Sequence, residues 1–306
     1  MSDHASDLRG GTLYVRVIPR LDIKGPNLVK GIQLEGLRVL GRPEDFARRY
    51  YEEGADELIY MDVVASLYGR NSLLDIVERT SKEIFIPLTV GGGLRSPDDI
   101  RRVLRAGADK VAINTAALAR PELIRDASRA FGSSTIVVSI EAIRTPQGTY
   151  EAYVDYGRQS TGVDAIDWAK RAVDLGAGEL LITSIDHEGT GRGFDLELTR
   201  AIAASVPIPV IAAGGAGRVA HVYDVIARGG ADAVCVASLL HYHGARHAAF
   251  DAQDFQREGN VEHLRRGAGF GNVEEATLLD IKEHLLAHGI GCRRAEARSL
   301  TRVERA

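Results

Sequence analysis

Two carboxylates and two glycine clusters carry most of the chemistry that this 306-residue sequence could support. Asp22 follows the apolar run Val17-Ile18-Pro19-Arg20-Leu21, and Glu141 follows Ile136-Val137-Val138-Ser139-Ile140. Paired carboxylates at strand ends can divide general-acid from general-base work, although either could also serve only to cap a loop. The glycine clusters are Gly91-Gly92-Gly93 and Gly214-Gly215-Ala216-Gly217. Each is followed one apolar run later by small groups, Asn114-Thr115 and Ala237-Ser238. Glycine lets backbone N–H groups approach an anion closely, and a helix start adds a favourable dipole. One such cluster could be a plain tight turn. The duplication points instead to two phosphate sites, and so to a ligand with a phosphate at each end.

A third set is charged. Arg16, Glu57, Lys110 and Glu179 stand at the beginnings of apolar runs, and two cations with two anions can close a barrel floor as a paired ring. The sequence does not say whether such a ring opens or is a plug. His241, His243 and His247 match no known zinc pattern, and the chain lacks a serine elbow and a Walker loop. No metal and no cofactor is expected. Cys235 lies in the apolar run 233–237 and reads as a small core residue; with Cys292 it makes no disulfide framework.

Strands and helices must place these groups. Strand-like runs fall at Tyr14–Leu21, Glu57–Asp62, Pro87–Val90, Lys110–Ile113, Thr135–Ile140, Glu179–Thr183, Val210–Ala213 and Ala233–Ala237. Helical patterns lie between them. Ser96-Pro97-Asp98-Asp99 supplies an N-cap, a proline at the first helical position and early acidic residues. Asn272-Val273-Glu274-Glu275 reads as the capping box of a last helix that Gly289 closes. Near-continuous apolar strands alternating with helices predict a parallel sheet covered on both faces, and eight such units predict an α/β fold of the closed (β/α)₈ TIM-barrel type.

The chain also repeats itself. Residues 86–93, IPLTVGGG, match 208–215, IPVIAAGG, at an offset of 122. Gly107-Ala108-Asp109 recurs as Gly230-Ala231-Asp232, and Gly54-Ala55-Asp56-Glu57-Leu58 as Gly176-Ala177-Gly178-Glu179-Leu180. The barrel is expected to consist of two half-barrels, which sets Asp22 and Glu141 across one mouth. The expected organisation is a disordered leader at 1–12, a barrel at 13–292 with an inserted loop at 243–271 after strand 8, and a basic tail at 293–306. The tail's five arginines and two glutamates read most simply as a solvated face.

Composition removes other classes. Lys+Arg 38 against Asp+Glu 42, net −4, provides no basic footprint for nucleic acid. No apolar run approaches a membrane span, and the N-terminus lacks the pattern of a signal peptide. The expectation is a soluble, cytoplasmic enzyme of a small molecule.

The segments Leu21-Asp22-Ile23-Lys24, Val29-Lys30-Gly31, Gly54–Leu58, Thr89–Gly93, Ala108–Val111, Ile113–Ala116, Gly176–Glu179 and Gly214–Gly217 together resemble the cyclase subunit of imidazole glycerol phosphate synthase. The resemblance runs from about Val15 to Tyr242 and resumes over the last helix to Ile290. It implies a TIM barrel that receives ammonia from a glutaminase subunit docked at the N-terminal barrel face. The ammonia would meet a ribulosyl-formimino aminoimidazole carboxamide nucleotide, a bisphosphate, at the mouth. The products would be imidazole glycerol phosphate and aminoimidazole carboxamide ribotide. Asp22 matches a catalytic aspartate, Lys30 a lysine of the first loop, and Arg16, Glu57, Lys110 and Glu179 the ammonia entrance. Glu188 and Gly189 join the expected substrate-binding set, with Gly92, Gly93, Asn114, Thr115, Gly214, Gly215, Ala237 and Ser238.

There are departures. Glu141 stands for a second catalytic aspartate, Ile143 for a lysine, Glu188 for an aspartate, and Arg20 for a small residue or cysteine. They gather at the mouth. The resemblance therefore leaves open a paralogue that delivers ammonia to another phosphorylated or sugar acceptor, and a silent conduit subunit.

Overall fold

The structure is a computed structural model that describes residues 14–65, 73–247 and 272–294. The expected leader 1–12, most of the expected insertion and residues 295–306 of the tail lie outside the described residues. The described residues form twelve strands: β1 Arg16–Lys24, β2 Asn27–Ile32, β3 Glu35–Gly41, β4 Leu58–Asp62, β5 Leu88–Gly91, β6 Lys110–Ile113, β7 Ile136–Arg144, β8 Tyr150–Val154, β9 Gln159–Asp164, β10 Glu179–Ser184, β11 Val210–Ala213 and β12 Ala233–Val236. Eight of them pair in parallel in the order β1-β4-β5-β6-β7-β10-β11-β12, and β12 pairs with β1 to close the barrel. Helices connect them on the outside, and the fold is a (β/α)₈ TIM barrel. Among the described residues no helix is long and apolar enough to cross a membrane.

Alternation along each strand decides what faces the lumen. On β1, Val17, Leu21 and Ile23 pack in the large apolar shell between strands and helices. Ile18 belongs to a second, inner cluster with Ile59, Val137, Leu181, Ile211 and Ala233. Arg16, Arg20 and Asp22 share the inward parity of Ile18. The barrel is thus a packed core whose two ends are charged.

The repeated Gly-Ala-Asp triplets have a definite structural task. Asp56 accepts a hydrogen bond from the Val17 amide (2.8 Å), Asp109 from Leu88 (2.9 Å) and Asp232 from Val210 (2.9 Å). Each aspartate thereby satisfies an amide at the start of the preceding barrel strand. The fourth copy, Gly176-Ala177-Gly178, has no side chain to offer.

The structure differs from the sequence-based expectation at several places. Asp22 and Glu141 lie inside β1 and β7 rather than beyond their ends, because both strands extend to pair with antiparallel hairpins, β2–β3 and β8–β9. The last helix, Leu278–Ala287, is capped by Thr277 and Asp280, not by Asn272–Glu275. The latter run is held instead by the Glu274 amide on the Gly217 carbonyl (2.7 Å). Gly289, at φ 79°, does end the helix. Residues 243–247 continue a helix, Ser238–His247, so any insertion begins later than 243. Arg293 is exposed, yet its guanidinium pairs with Asp56 (2.9 Å), which Lys282 also holds (2.8 Å).

Asp109→Ala should lower the unfolding free energy by about 1 kcal/mol and speed amide exchange at Leu88. Denaturation and hydrogen exchange would measure both. Unchanged protection at Leu88 would show that the turn alone, without the carboxylate, fixes the start of the strand.

Candidate active site at the mouth of the barrel

Asp22 and Glu141 are both buried at the C-terminal end of the barrel, in different surroundings. Arg20 Nε donates to Asp22 Oδ1 (2.8 Å), and the Tyr156 hydroxyl donates to Oδ2 (3.2 Å). Glu141 Oε2 accepts from the Asn114 amide (3.2 Å) and from the Gly157 backbone N–H (2.9 Å). One carboxylate therefore has a cation as partner and the other has neutral donors. Burial pushes the Glu141 carboxyl up to about 7, with Arg20 and the two hydrogen bonds acting against the rise. At neutral pH this group is divided between acid and base forms.

The tip of the β8–β9 hairpin reaches both carboxylates through consecutive residues. Asp155 and Tyr156 adopt left-handed φ of 52° and 58°, uncommon for residues with a β-carbon, and Tyr156 is nevertheless buried. The β2–β3 hairpin turns on Gln33 and Leu34, also left-handed at 49° and 65°. Its tip is anchored by the Gln33 amide on the Glu188 carbonyl (2.8 Å). Leu34 packs over Gly157, where a β-carbon would come 2.8 Å from its Cδ1. Lys30 of β2 is buried and ion-paired with Glu188.

A cavity of 440 Å³ adjoins Glu141 and Tyr156 and is lined by Gly92, Gly93, Asn114, Thr115, Arg95 and Arg120 among others. The first expected phosphate set therefore shares one cavity with one carboxylate. Gly92 needs to be glycine: at φ 100° a β-carbon would lie 2.4 Å from the Asp62 carbonyl. Around the second set, Gly214 lies beside Glu188, with its β-carbon position 3.1 Å from Glu188 Oε2. Gly189 abuts the Gly31 carbonyl, and Gly215 accepts from the Gly193 amide (2.8 Å). Ser238 is buried at the start of its helix, next to Ala237.

At the opposite end the four charges pair. Arg16 reaches Glu57 (2.7 Å) and Glu179 (3.2 Å), and Lys110 reaches the same two carboxylates at 2.8 and 3.0 Å. Burial opposes the charge on Arg16, but attraction to Glu57 and Glu179 outweighs it and its pKa lies above the ordinary value. Glu57 Oε2 is buried without a partner among the described residues.

The histidines have other uses. His241 lies outside the barrel wall, and burial pulls its pKa down to about 3. Neutral, it must donate from Nε2 to the Arg20 carbonyl (2.8 Å) and accept at Nδ1 from the Tyr50 hydroxyl (2.6 Å). The side chain of His247 lies outside the described residues. Cys235 is buried in the inner cluster, and burial pushes its thiol up to about 12.

Sequence reasoning missed Tyr156 and Gly157 as partners of the carboxylates. The turn residues Asp155-Tyr156-Gly157 between the runs 150–154 and 159–164 were a legible hairpin signal. The reach of Arg20 to Thr183 had no such signal.

A family profile described as "Histidine biosynthesis protein" matches residues 16–246. The imidazole glycerol phosphate synthase subunit HisF of Legionella pneumophila is 61% identical over 204 residues, covering 67% of this chain and 96% of the relative. The subunits of the same name from Streptomyces avermitilis and Streptomyces griseus are 52% and 51% identical over 231 residues, covering 76% of this chain and 92% of each relative. The chain belongs to the histidine biosynthesis protein family.

Proposed function

We propose that this chain is the cyclase subunit of an imidazole glycerol phosphate synthase. It uses ammonia released by a glutaminase subunit to convert the ribulosyl-formimino aminoimidazole carboxamide bisphosphate into imidazole glycerol phosphate and aminoimidazole carboxamide ribotide. The observation that carries the reading is the unequal pair at the mouth, Asp22 with a cation and Glu141 near neutrality, in a chain with these relatives. Adding ammonia to a carbonyl requires one proton to leave nitrogen and another to reach oxygen. In this reading Asp22 accepts the first and Glu141 supplies the second. The cavity beside Gly92, Gly93, Asn114 and Thr115 takes one phosphate, with Arg95 and Arg120 on its wall. Gly214, Gly215, Ala237 and Ser238 take the other, and Lys30 with Glu188 and Gly189 closes over that side.

The glutaminase docks at the N-terminal face, and ammonia enters through the ring of Arg16, Glu57, Lys110 and Glu179. A plug gains little from buried ion pairs, since apolar residues of similar volume are often as stable. A gate needs polar groups that can part, and the unpartnered Glu57 Oε2 offers an acceptor to a passing N–H.

Turnover of the bisphosphate with ammonium by the purified chain is the direct test, and its absence would turn the reading toward another acceptor. Asp22→Asn should lower kcat by about 1,000-fold with KM within about threefold; an undiminished kcat would reject the proton role. Lys110→Met, in the assembled complex, should lower the ratio of glutamine-driven to ammonium-driven rates by about tenfold. A ratio equal to wild type would leave the ring as structural closure.

Glu141 also makes a stability prediction. Its folded pKa of about 7 lies above the ordinary 4.5, so the folded protein binds the extra proton. Its contribution to stability is complete below about pH 4.5 and is lost as pH rises through about 7, on the order of 3 kcal/mol in all. Glu141→Gln should flatten the fall in stability over that window, as urea titrations at several pH values would reveal. An identical fall in the variant would assign it to other groups.

A further inference from the structure

Arg20 is buried on the inward row of β1, between Ile18 and Asp22, where the resemblance expects a small residue. Its Nε holds Asp22 Oδ1 (2.8 Å). Its Nη1 donates to Thr183 Oγ1 on β10 (3.2 Å), and two strands, β11 and β12, separate β10 from β1. The side chain therefore crosses the lumen, as Arg16 does at the floor when it reaches Glu179. Its Nη2 is buried with no partner among the described residues. The backbone is fixed too, because His241 donates to the Arg20 carbonyl from outside the wall. A guanidinium that only filled space would leave a buried donor unsatisfied at a net cost, and an apolar side chain would fill the lumen more cheaply.

We propose that Arg20 is a positioning residue of the reaction: it fixes the Asp22 carboxylate from beneath and, as a cation set in the lumen, makes the two carboxyls unequal. The inference rests on the proposed cyclase reading for its kinetic consequences only. Asp22 receives the guanidinium on one oxygen and the Tyr156 hydroxyl on the other, so both of its oxygens are held in place. Among the described residues Glu141 has only the Asn114 amide and the Gly157 N–H as direct partners, so it is the carboxyl left to carry a proton. The groups that face Glu141 are Arg20 and Asp22 from β1, Asn114 from the turn after β6, and Tyr156 from the hairpin. Asp62, Arg95, Arg120 and Asp155 line the cavity it borders. Of the charges acting on Glu141, that of Arg20 is the largest, and it opposes protonation.

The test uses the full chain as wild type, Arg20→Met, which keeps most of the volume without charge, and Arg20→Lys, which keeps the charge without the fork. The Glu141 carboxyl is followed by carbon-13 NMR through a pH titration, and kcat and KM are measured with ammonium and the bisphosphate. Arg20→Met should raise the Glu141 midpoint by about one unit or more. It should also lower kcat by about 100-fold with KM within about threefold, and shift the limb of the pH–rate profile set by Glu141 in the same direction. Arg20→Lys should restore the midpoint but only part of kcat, since one ammonium cannot hold Asp22 and Thr183 in the geometry of the fork. A folded Arg20→Met protein with an unmoved midpoint and profile would overturn the proposal. If that variant does not fold, full kcat in Arg20→Lys would overturn it and a reduced kcat with an unmoved midpoint would support it. If wild type fails to turn over the bisphosphate, the cyclase reading falls, while the NMR titration still decides the role of Arg20.

Discussion

A closed parallel barrel turns alternate residues of every strand into a lumen that water does not fill, and any charge placed there must find its partner inside. The inward row of β1 runs Arg16, Ile18, Arg20, Asp22, and each charged member is matched across or along the barrel. Arg16 meets Glu57 and Glu179, and Arg20 meets Asp22 and Thr183. Between these two levels the lumen is apolar, filled by Ile18, Ile59, Val137, Leu181 and Ile211. The strand register decides which charges meet, because shifting one strand by a residue would turn its whole inward row outward. The floor ring and the mouth are therefore two ends of one constraint.

The half-barrel repeat extends further than the matching segments. The hairpins β2–β3 and β8–β9 each follow the first strand of a half, β1 and β7, and each extends that strand by antiparallel pairing. Their tips pack on one another through Leu34 and Gly157. The duplication is equal in backbone and unequal in side chains. The first half places an arginine beneath its carboxylate. At the corresponding place the second half has Ser139, whose hydroxyl is buried without a partner among the described residues. Two carboxyls that began at equivalent positions thus acquire different electrostatics from neighbours two residues before them in each strand.

Much of the barrel was legible because its signals are local and repeated. The eight apolar runs fall within a residue or two of the observed strands, apart from the outer ends of β1 and β7, and Ser96 caps its helix as its spacing predicts. Arg16, Glu57, Lys110 and Glu179 were legible as a ring because they share one place in four strands. The hairpins were harder, since their strands carry polar outer faces and sit where a barrel otherwise has a loop. Thr277 was overlooked as a cap because Asn272–Glu275 offers the same residue types five positions earlier; the Gly217 carbonyl claims that segment's amide instead. The docking of Arg293 on Asp56 depends on chain ends meeting across 237 residues, which no local pattern encodes.

Contacts at long range also explain why the carboxylates could be found while their chemistry could not. Position along a strand is enough to place Asp22 and Glu141 at the mouth. Their surroundings are set by groups far away in sequence: Tyr156 on Asp22, Asn114 and Gly157 on Glu141, and Thr183 on the Arg20 that holds Asp22. The hairpin tip is the most economical of these arrangements, because Tyr156 and Gly157 serve opposite sides of the mouth with consecutive residues. That geometry needs the left-handed backbone at Asp155 and Tyr156, a conformation held by burial of the tyrosine ring and by the Asp155 amide on Thr115 Oγ1 (3.1 Å). Thr115 stands beside the glycine-lined cavity. The left-handed turn therefore touches three features at once, the cavity wall and the two carboxyls.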